Sequence, residues 1–300
     1  MRDYVARSDL GESADRYCGS QAVAADYDVL FAENVRVLSP EGNPVAVLVR
    51  GKIPRDVAQA GYEVFRTIRE APRNRFVATI GQRAPKVVRR DGTISKTSFI
   101  TDAMLKSLGL LDASSAIIGF MDRYARRPFC RKTAFNMDHP ELFERAMPFI
   151  RRVDEIFAEF MPERRAAQMA KIEATVPDWV IPNTAFTTVT VNRNYPTRYH
   201  KDAGDLKEGF GVMSVLRAGH YSGGYFVMPR YRVAFNVGNA DVLLADVHQW
   251  HGNTRLRGIP NTYERISCVF YYREEMFRCG TADQELVRAR GRQIGAPLYD

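Results

Sequence analysis

Two different hydrophobic periods run through this chain. From Phe186 onward apolar and polar positions alternate, first in Phe186-Thr187-Thr188-Val189-Thr190-Val191-Asn192. Alternation with a period of two puts successive side chains on opposite faces of a strand. Two further apolar runs, Asp241 to Val247 and Arg265 to Tyr271, extend the pattern. Hairpin chemistry stands at Tyr221-Ser222-Gly223-Gly224 and at Gly238-Asn239-Ala240-Asp241. Upstream, Leu142, Phe143, Met147, Ile150, Val153, Ile156, Phe157 and Phe160 recur at helical spacing. That spacing predicts a core-packing helix from Pro140 to Phe160, started by Asp138 or His139, with a kink or break at Pro148.

The remaining elements follow the same logic. A helix is expected from about Arg55 to Arg69, with Val57, Ala60, Gly61, Val64, Phe65 and Ile68 on one face. A short helix from Asp102 to Leu108 stops at Gly109, and a polar, exposed one covers Glu163 to Thr175. Strands are predicted for Val29 to Leu38 and Pro44 to Val49, around the turn residues Ser39 to Asn43. Residues 72–100 are basic and broken by Pro72, Gly81, Pro85 and Gly92, which reads as a loop or ribbon. Residues 1–27 show no period and read as a loosely tied leader.

These elements predict an α+β fold in one domain, 1–300, with no internal repeat or linker. Residues 1–183 form a mainly helical part, 184–275 a double-stranded β-helix (jelly-roll) core with the helices packed outside, and 276–300 a tail.

Composition adds three constraints. The chain has 300 residues of which 45% are apolar, ample for a sizeable core. Net charge is 43 − 35 = +8, and 35 of the 43 cations are Arg. Arg favours planar, bidentate contact with phosphate and carboxylate, so a polyanionic partner fits, although GC-rich coding raises Arg as well. No apolar run nears the roughly eighteen residues of a membrane helix, and Met1-Arg2-Asp3-Tyr4 opens no secretory signal. Cys18, Cys130, Cys268 and Cys279 lie far apart with no C-x-x-C, which indicates neither zinc nor a disulfide framework and suits a reducing cytoplasm.

The candidate chemistry sits in the strand-rich part. His200-Lys201-Asp202 is an H-x-D, so in a strand the imidazole and carboxylate point the same way. A later strand end carries His248-Gln249-Trp250-His251-Gly252. Two His and one carboxylate on one face of a metal, with other positions open, form the facial triad of Fe(II) oxygenases. Four of the five His (200, 220, 248, 251) fall in this stretch. His248 and His251 face opposite ways in a regular strand, and His251 before Gly252 is preferred as the ligand. Fourteen residues after His251, Arg265 opens an apolar strand. A buried guanidinium needs an acidic partner, and the carboxylate of 2-oxoglutarate supplies a bidentate one.

At these residues the chain resembles the TET/JBP family, Fe(II)- and 2-oxoglutarate-dependent enzymes that oxidise the 5-methyl group of pyrimidines in DNA, and its phage-type members most. The resemblance is loose at Val45 to Val49, at Gly51-Lys52-Ile53-Pro54 and in the following helix. It is specific at His200-Lys201-Asp202, at Tyr225 to Tyr231, at His251 and at Arg265-Ile266-Ser267. It implies His200, Asp202 and His251 as iron ligands, Arg265 and Ser267 as holders of the 2-oxoglutarate carboxylate, and Tyr271 stacked on a flipped base. Asp205 and Arg273 fall where the animal enzymes place a base-contacting Asn and His, and Phe226 where they have a His touching 2-oxoglutarate. Gly119 to Arg131 resembles a DNA-contacting loop, which gives Arg123, Tyr124, Arg126, Arg127 and Arg131 to the phosphates and the vacated stack. The Cys-rich region of the animal enzymes has no counterpart.

The resemblance thus implies Fe(II), 2-oxoglutarate and a DNA substrate, with 5-methylcytosine favoured, thymine next, and the host cytoplasm as location for a phage-encoded protein. A 2-oxoglutarate oxygenase acting on a protein or small molecule would use the same triad and Arg265. A silent jelly roll that only binds nucleic acid would need neither.

Overall fold

The computed structural model describes residues 1–73, 75–81, 86–88, 94–96, 100–124, 127–202 and 204–291. Its strands are Arg2–Val5 (β1), Val29–Phe31 (β2), Val35–Leu38 (β3), Pro44–Val49 (β4), Lys86–Val88 (β5), Ile94–Lys96 (β6), Ser114–Met121 (β7) and Arg131–Lys132 (β8). Then come Thr188–Arg193 (β9), Gly211–Ala218 (β10), Phe226–Met228 (β11), Val233–Phe235 (β12), Asp241–Ala245 (β13), Gly252–Asn253 (β14) and Glu264–Tyr271 (β15). The helices are Arg55–Phe65 (α1), Phe76–Ile80 (α2), Asp102–Ser107 (α3), Ala134–Asp138 (α4), Pro140–Phe160 (α5), Pro162–Glu173 (α6) and Ala282–Gly291 (α7).

The fold is mixed α+β. A nine-stranded sheet runs β1-β3-β4-β13-β10-β15-β9-β7-β8, a four-stranded sheet runs β14-β11-β12-β2, and β5 pairs with β6 alone. Strand alternation sorts each side chain to one of two cores. On β15, Ile266, Cys268 and Phe270 join Val189, Val212, Phe65, Phe149 and Phe157 in the core beneath α1 and α5. On the opposite face Met213, Val215 and Leu243 pack against Phe226, Met228 and Phe235 of the smaller sheet. The space left between the two sheets is where the polar residues of the site collect.

Three expectations need correction. Residues 1–27 are not loosely tied: β1 pairs in parallel with β3, Tyr17 and Ala22 are buried, and Asp9 pairs with Arg230 at 2.6 Å. These contacts join segments far apart in the chain and leave no sequence period, so this tethering was invisible. Nor does the strand core begin at 184, because β2, β3, β4 and β7 from the helix-bearing part complete both sheets. Finally, of the kink or break expected at Pro148, the break is absent: α5 runs through it as one helix. A helix-interior Pro costs about 3 kcal/mol. Burial of Phe143, Met147, Ile150, Val153 and Phe157, at roughly 1.5–3 kcal/mol each, outweighs it.

The cysteine reading also changes. Cys130 and Cys279, 149 positions apart, form a disulfide with Cα atoms 5.8 Å apart, because the β7–β8 connection meets the segment after β15. Sequence distance says nothing of this, and the cysteine argument for a reducing compartment falls with it. No helix among the described residues is long and apolar enough to cross a membrane.

Beside this bridge Glu285 is 1% exposed and accepts from Arg123 at 2.5 Å and from the backbone N–H of Cys130 and Gly280 at 2.8 and 2.7 Å. Burial alone would raise its pKa. The Arg123 pair and the two N–H donors outweigh it and hold the carboxyl at about 2, below its ordinary 4.5. A depressed carboxylate stabilises fully above its unfolded pKa and loses that contribution as pH falls through the folded one. Glu285→Gln should therefore cost about 3 kcal/mol at neutral pH. Urea unfolding should show the difference from the parent shrinking from pH 4.5 toward 2.

Candidate active site

Tyr199 fixes the approach to the site. It is fully buried, its N–H donates to the Ser20 carbonyl (2.9 Å) and its hydroxyl to Asp26 (3.0 Å). The N-terminal segment thus clamps the strand that delivers His200. His200 and His251 then face each other as a backbone pair, exchanging two N–H···O bonds of 3.0 Å. Gly252 permits this approach, since a Cβ there would meet the Tyr199 backbone nitrogen and ring at 3.0 Å.

The ring tautomers follow from their backbone partners. His200 Nδ1 lies 2.7 Å from the Arg198 carbonyl and His251 Nδ1 3.0 Å from that of Gln249. Each ring donates there and presents Nε2 to Asp202, at 3.4 Å from Oδ1 and 3.7 Å from Oδ2. The three ligand atoms lie within 4.8 Å of one another. Burial drives His251 down to about 4, so it is neutral and able to donate a lone pair. Burial would raise Asp202, but the contact with His200 leads the opposing influences of the two adjoining rings and holds it below the usual carboxylate range. His248 turns elsewhere, its Nδ1 3.3 Å from Asp246 and its Nε2 3.4 Å from the Asp205 carbonyl. It is not a member of the cluster. His220 is exposed, as its place beside a Gly-rich turn suggests.

These three residues line a cavity of about 160 Å³ together with Ser267, Tyr271, Asp205, Arg273 and Phe226. Phe226 stacks on His251, centroids 5.2 Å apart. Tyr271 reaches Thr190 through its hydroxyl at 3.1 Å. Burial, reinforced by the charge of Asp202, pushes Asp205 well above the usual carboxylate range. Arg273 donates from Nε to buried Asp122 at 2.7 Å, a partner the sequence did not suggest.

Arg265 is 3% exposed, and its Nη2 has no partner among the described residues. Glu264 beside it is taken up by Arg193, Arg69 and Tyr62. A buried cation with an orphaned donor is costly until an anion reaches it. Ser267, two positions on along the same strand face, lines the cavity. The donor set at the triad suits a divalent metal, and this orphaned guanidinium suits a carboxylate.

The basic loop divides. Arg123 is engaged by Glu285 and is not free for a phosphate, which corrects its expected role; Arg126 lies outside the described residues. Tyr124 and Arg127 are exposed, and Arg131 lies over the Tyr124 ring at 4.9 Å. Arg75 is the residue that sequence reasoning missed. It lines the catalytic cavity, makes no ion pair among the described residues, and also lines an adjoining groove of about 760 Å³ with Arg69, Arg127, Arg131 and Lys132. No spacing marks it, because only the fold carries the α1–α2 connection over the metal site.

Against known proteins, the oxygenase-domain model of the 2OGFeDO superfamily, Tet_JBP, matches residues 117–274. The chain belongs to the Tet_JBP family. It is accordingly an enzyme of the Fe(II)- and 2-oxoglutarate-dependent dioxygenases, and these are the family's cofactors. The Tet_JBP chain is 39% identical over 171 residues to thymine dioxygenase JBP1 of Trypanosoma brucei brucei, covering 55% of this chain and 20% of that one. It is 32% identical over 168 residues to the bifunctional helicase and thymine dioxygenase JBP2 of Leishmania braziliensis, 55% of this chain and 15% of that one. It therefore spans a fifth or less of these relatives. Among solved structures, NgTET1 in complex with 5mC DNA shares the fold at TM-score 0.60 and 10% identity, covering 97% of this chain and 90% of that one. These trypanosomatid relatives lend nothing to the phage-type placement.

Proposed function

We propose that this chain oxidises the 5-methyl group of thymine in DNA, on a double-stranded β-helix core formed by its two sheets. The observation that carries the reading is the junction at Arg75. There a metal-binding triad and a groove lined by five cations share walls, which suits a polyanion delivering one nucleotide to the cavity. Fe(II) would supply a site at which O₂ is the oxidant and 2-oxoglutarate the co-reductant, so that one oxygen atom converts a methyl C–H to C–OH while 2-oxoglutarate leaves as succinate and CO₂. His200, Asp202 and His251 hold the metal, while Arg265 and Ser267 hold the co-substrate carboxylate. A base within a duplex cannot enter so small a cavity, so the nucleotide flips out at a cost of a few kcal/mol. Tyr271 stacks on it, and Phe226, Val269 and Leu243 keep water from its methyl group.

The base choice rests on two supports. The relatives at 39% and 32% identity are named thymine dioxygenases. In addition Arg273, with Nε taken by Asp122, retains N–H donors only, which suit the O4 carbonyl of thymine where cytosine carries an amino group. The 5-methylcytosine favoured by the resemblance stands second, supported by the fold shared with NgTET1 in complex with 5mC DNA.

Incubation with Fe(II), 2-oxoglutarate and DNA with or without 5-methylcytosine, followed by nucleoside mass spectrometry, tests this. 5-Hydroxymethyluracil is the expected product. 5-Hydroxymethylcytosine alone would move the reading to the second base. In parallel, neutralising Arg75, Arg127 and Arg131 should weaken duplex binding at every sequence. It should also lower the slope of log K against log salt by about 0.9 per lost contact. An unchanged affinity and slope would shift the reading to a protein or small-molecule substrate.

A further inference from the structure

The β15 face that leads from cavity-lining Ser267 to Arg265 meets more positive charge than one carboxylate-binding Arg explains. Arg217 on β10 and Arg265 on β15 are direct cross-strand partners. Like charges placed opposite each other on adjacent strands repel. Neither makes an ion pair with a carboxylate among the described residues. Tyr221, four residues beyond Arg217, sits in the turn that follows. The Arg217 guanidinium lies over its ring at 4.2 Å, and the Tyr263 ring packs against it at 5.1 Å. These contacts fix the ring but give its hydroxyl no hydrogen bond of normal geometry. Among the described residues the hydroxyl is buried without a hydrogen-bond partner, as is Arg265 Nη2.

The same turn is shaped around Arg265. Gly224 has φ +68°, and a Cβ there would lie 3.0 Å from Arg265 Nε and 2.7 Å from Leu256 Cδ2. A side chain at 224 would therefore displace the guanidinium, so the turn that presents Tyr221 also seats Arg265. Burial pushes the Tyr221 hydroxyl up, while Arg265 and Arg217 act in the opposite sense, which places the phenol within their field.

Building on the assignment of Arg265 to 2-oxoglutarate, we infer that Tyr221, oriented by Arg217, is a further ligand of the same distal carboxylate. A single carboxylate accepting from Arg265 Nη2 and from the Tyr221 O–H satisfies both orphaned donors and separates the facing cations. The role is positional: the hydroxyl aligns the co-substrate at the end remote from the metal.

The test is calorimetric binding of 2-oxoglutarate to the protein loaded with Ni(II), which reads affinity without turnover. Tyr221→Phe keeps the ring and its packing and removes only the oxygen. It should weaken 2-oxoglutarate binding about 10- to 100-fold, the worth of one hydrogen bond to a charged group. Ni(II) and DNA affinities should be unchanged. Arg217→Gln should weaken 2-oxoglutarate binding less than Tyr221→Phe does. Unaltered 2-oxoglutarate affinity in Tyr221→Phe, with strong loss in Arg265→Ala, overturns this inference alone. Unaltered affinity in both variants overturns the Arg265 assignment with it.

Discussion

His200→Ala, Asp202→Ala and His251→Ala should each abolish turnover and lose Fe(II), whereas His248→Ala should retain most of both. The three residues converge their ligand atoms within 4.8 Å, and no further His, Cys, Asp or Glu joins them among the described residues. Removing any one leaves two donors for an ion that needs three protein ligands, so nothing compensates. His248 instead bridges Asp246 and the Asp205 carbonyl, and its loss should act only through the position of Asp205. Metal content measured by elemental analysis, alongside single-turnover assays, checks the set. Retained iron and activity in His251→Ala with none in His248→Ala would reverse the assignment.

The second large effect is expected at Arg265. Arg265→Ala should raise the 2-oxoglutarate requirement by about 10²- to 10³-fold, the loss of a buried charge-assisted pair. DNA affinity should barely move, because the groove cations lie on other elements. The cofactor-free variant should unfold no more easily than the parent. Among the described residues its guanidinium has an orphaned Nη2 and no acidic partner, so deleting it removes an uncompensated buried charge. A marked drop in the melting temperature of the cofactor-free variant, with an unchanged 2-oxoglutarate requirement, would make Arg265 a structural residue only.

Much of the site was legible because its chemistry is local in sequence. Arg265 and Ser267 are separated by one residue within β15, where strand periodicity aligns them; His200 and Asp202 share that spacing, although His200 makes only an isolated bridge and no strand runs through Asp202. The choice of His251 over His248 rested on Gly252 closing a strand; Gly252 instead opens β14, and the backbone pair His200–His251 is what sets His251 beside His200. The helix of α5 and the strands β3, β4, β9, β13 and β15 were equally legible, since each carries a buried stripe of the right period.

What escaped is everything set by contact between distant segments. The N-terminal residues look aimless in sequence, yet Ser20 and Asp26 hold Tyr199 in place beside the metal site. Arg123 reads as a phosphate contact until Glu285, 162 positions away, takes its charge. Arg75 reads as one basic residue among many until the fold sets it where two cavities meet. The sequence by itself determined the ligand types, their spacing and the period of the elements that carry them, because these depend on residues within a few positions of one another. Only the tertiary structure decided which charges are already neutralised and which are left to meet a ligand. Pairing energy depends on distance through space, and separation along the chain does not measure it.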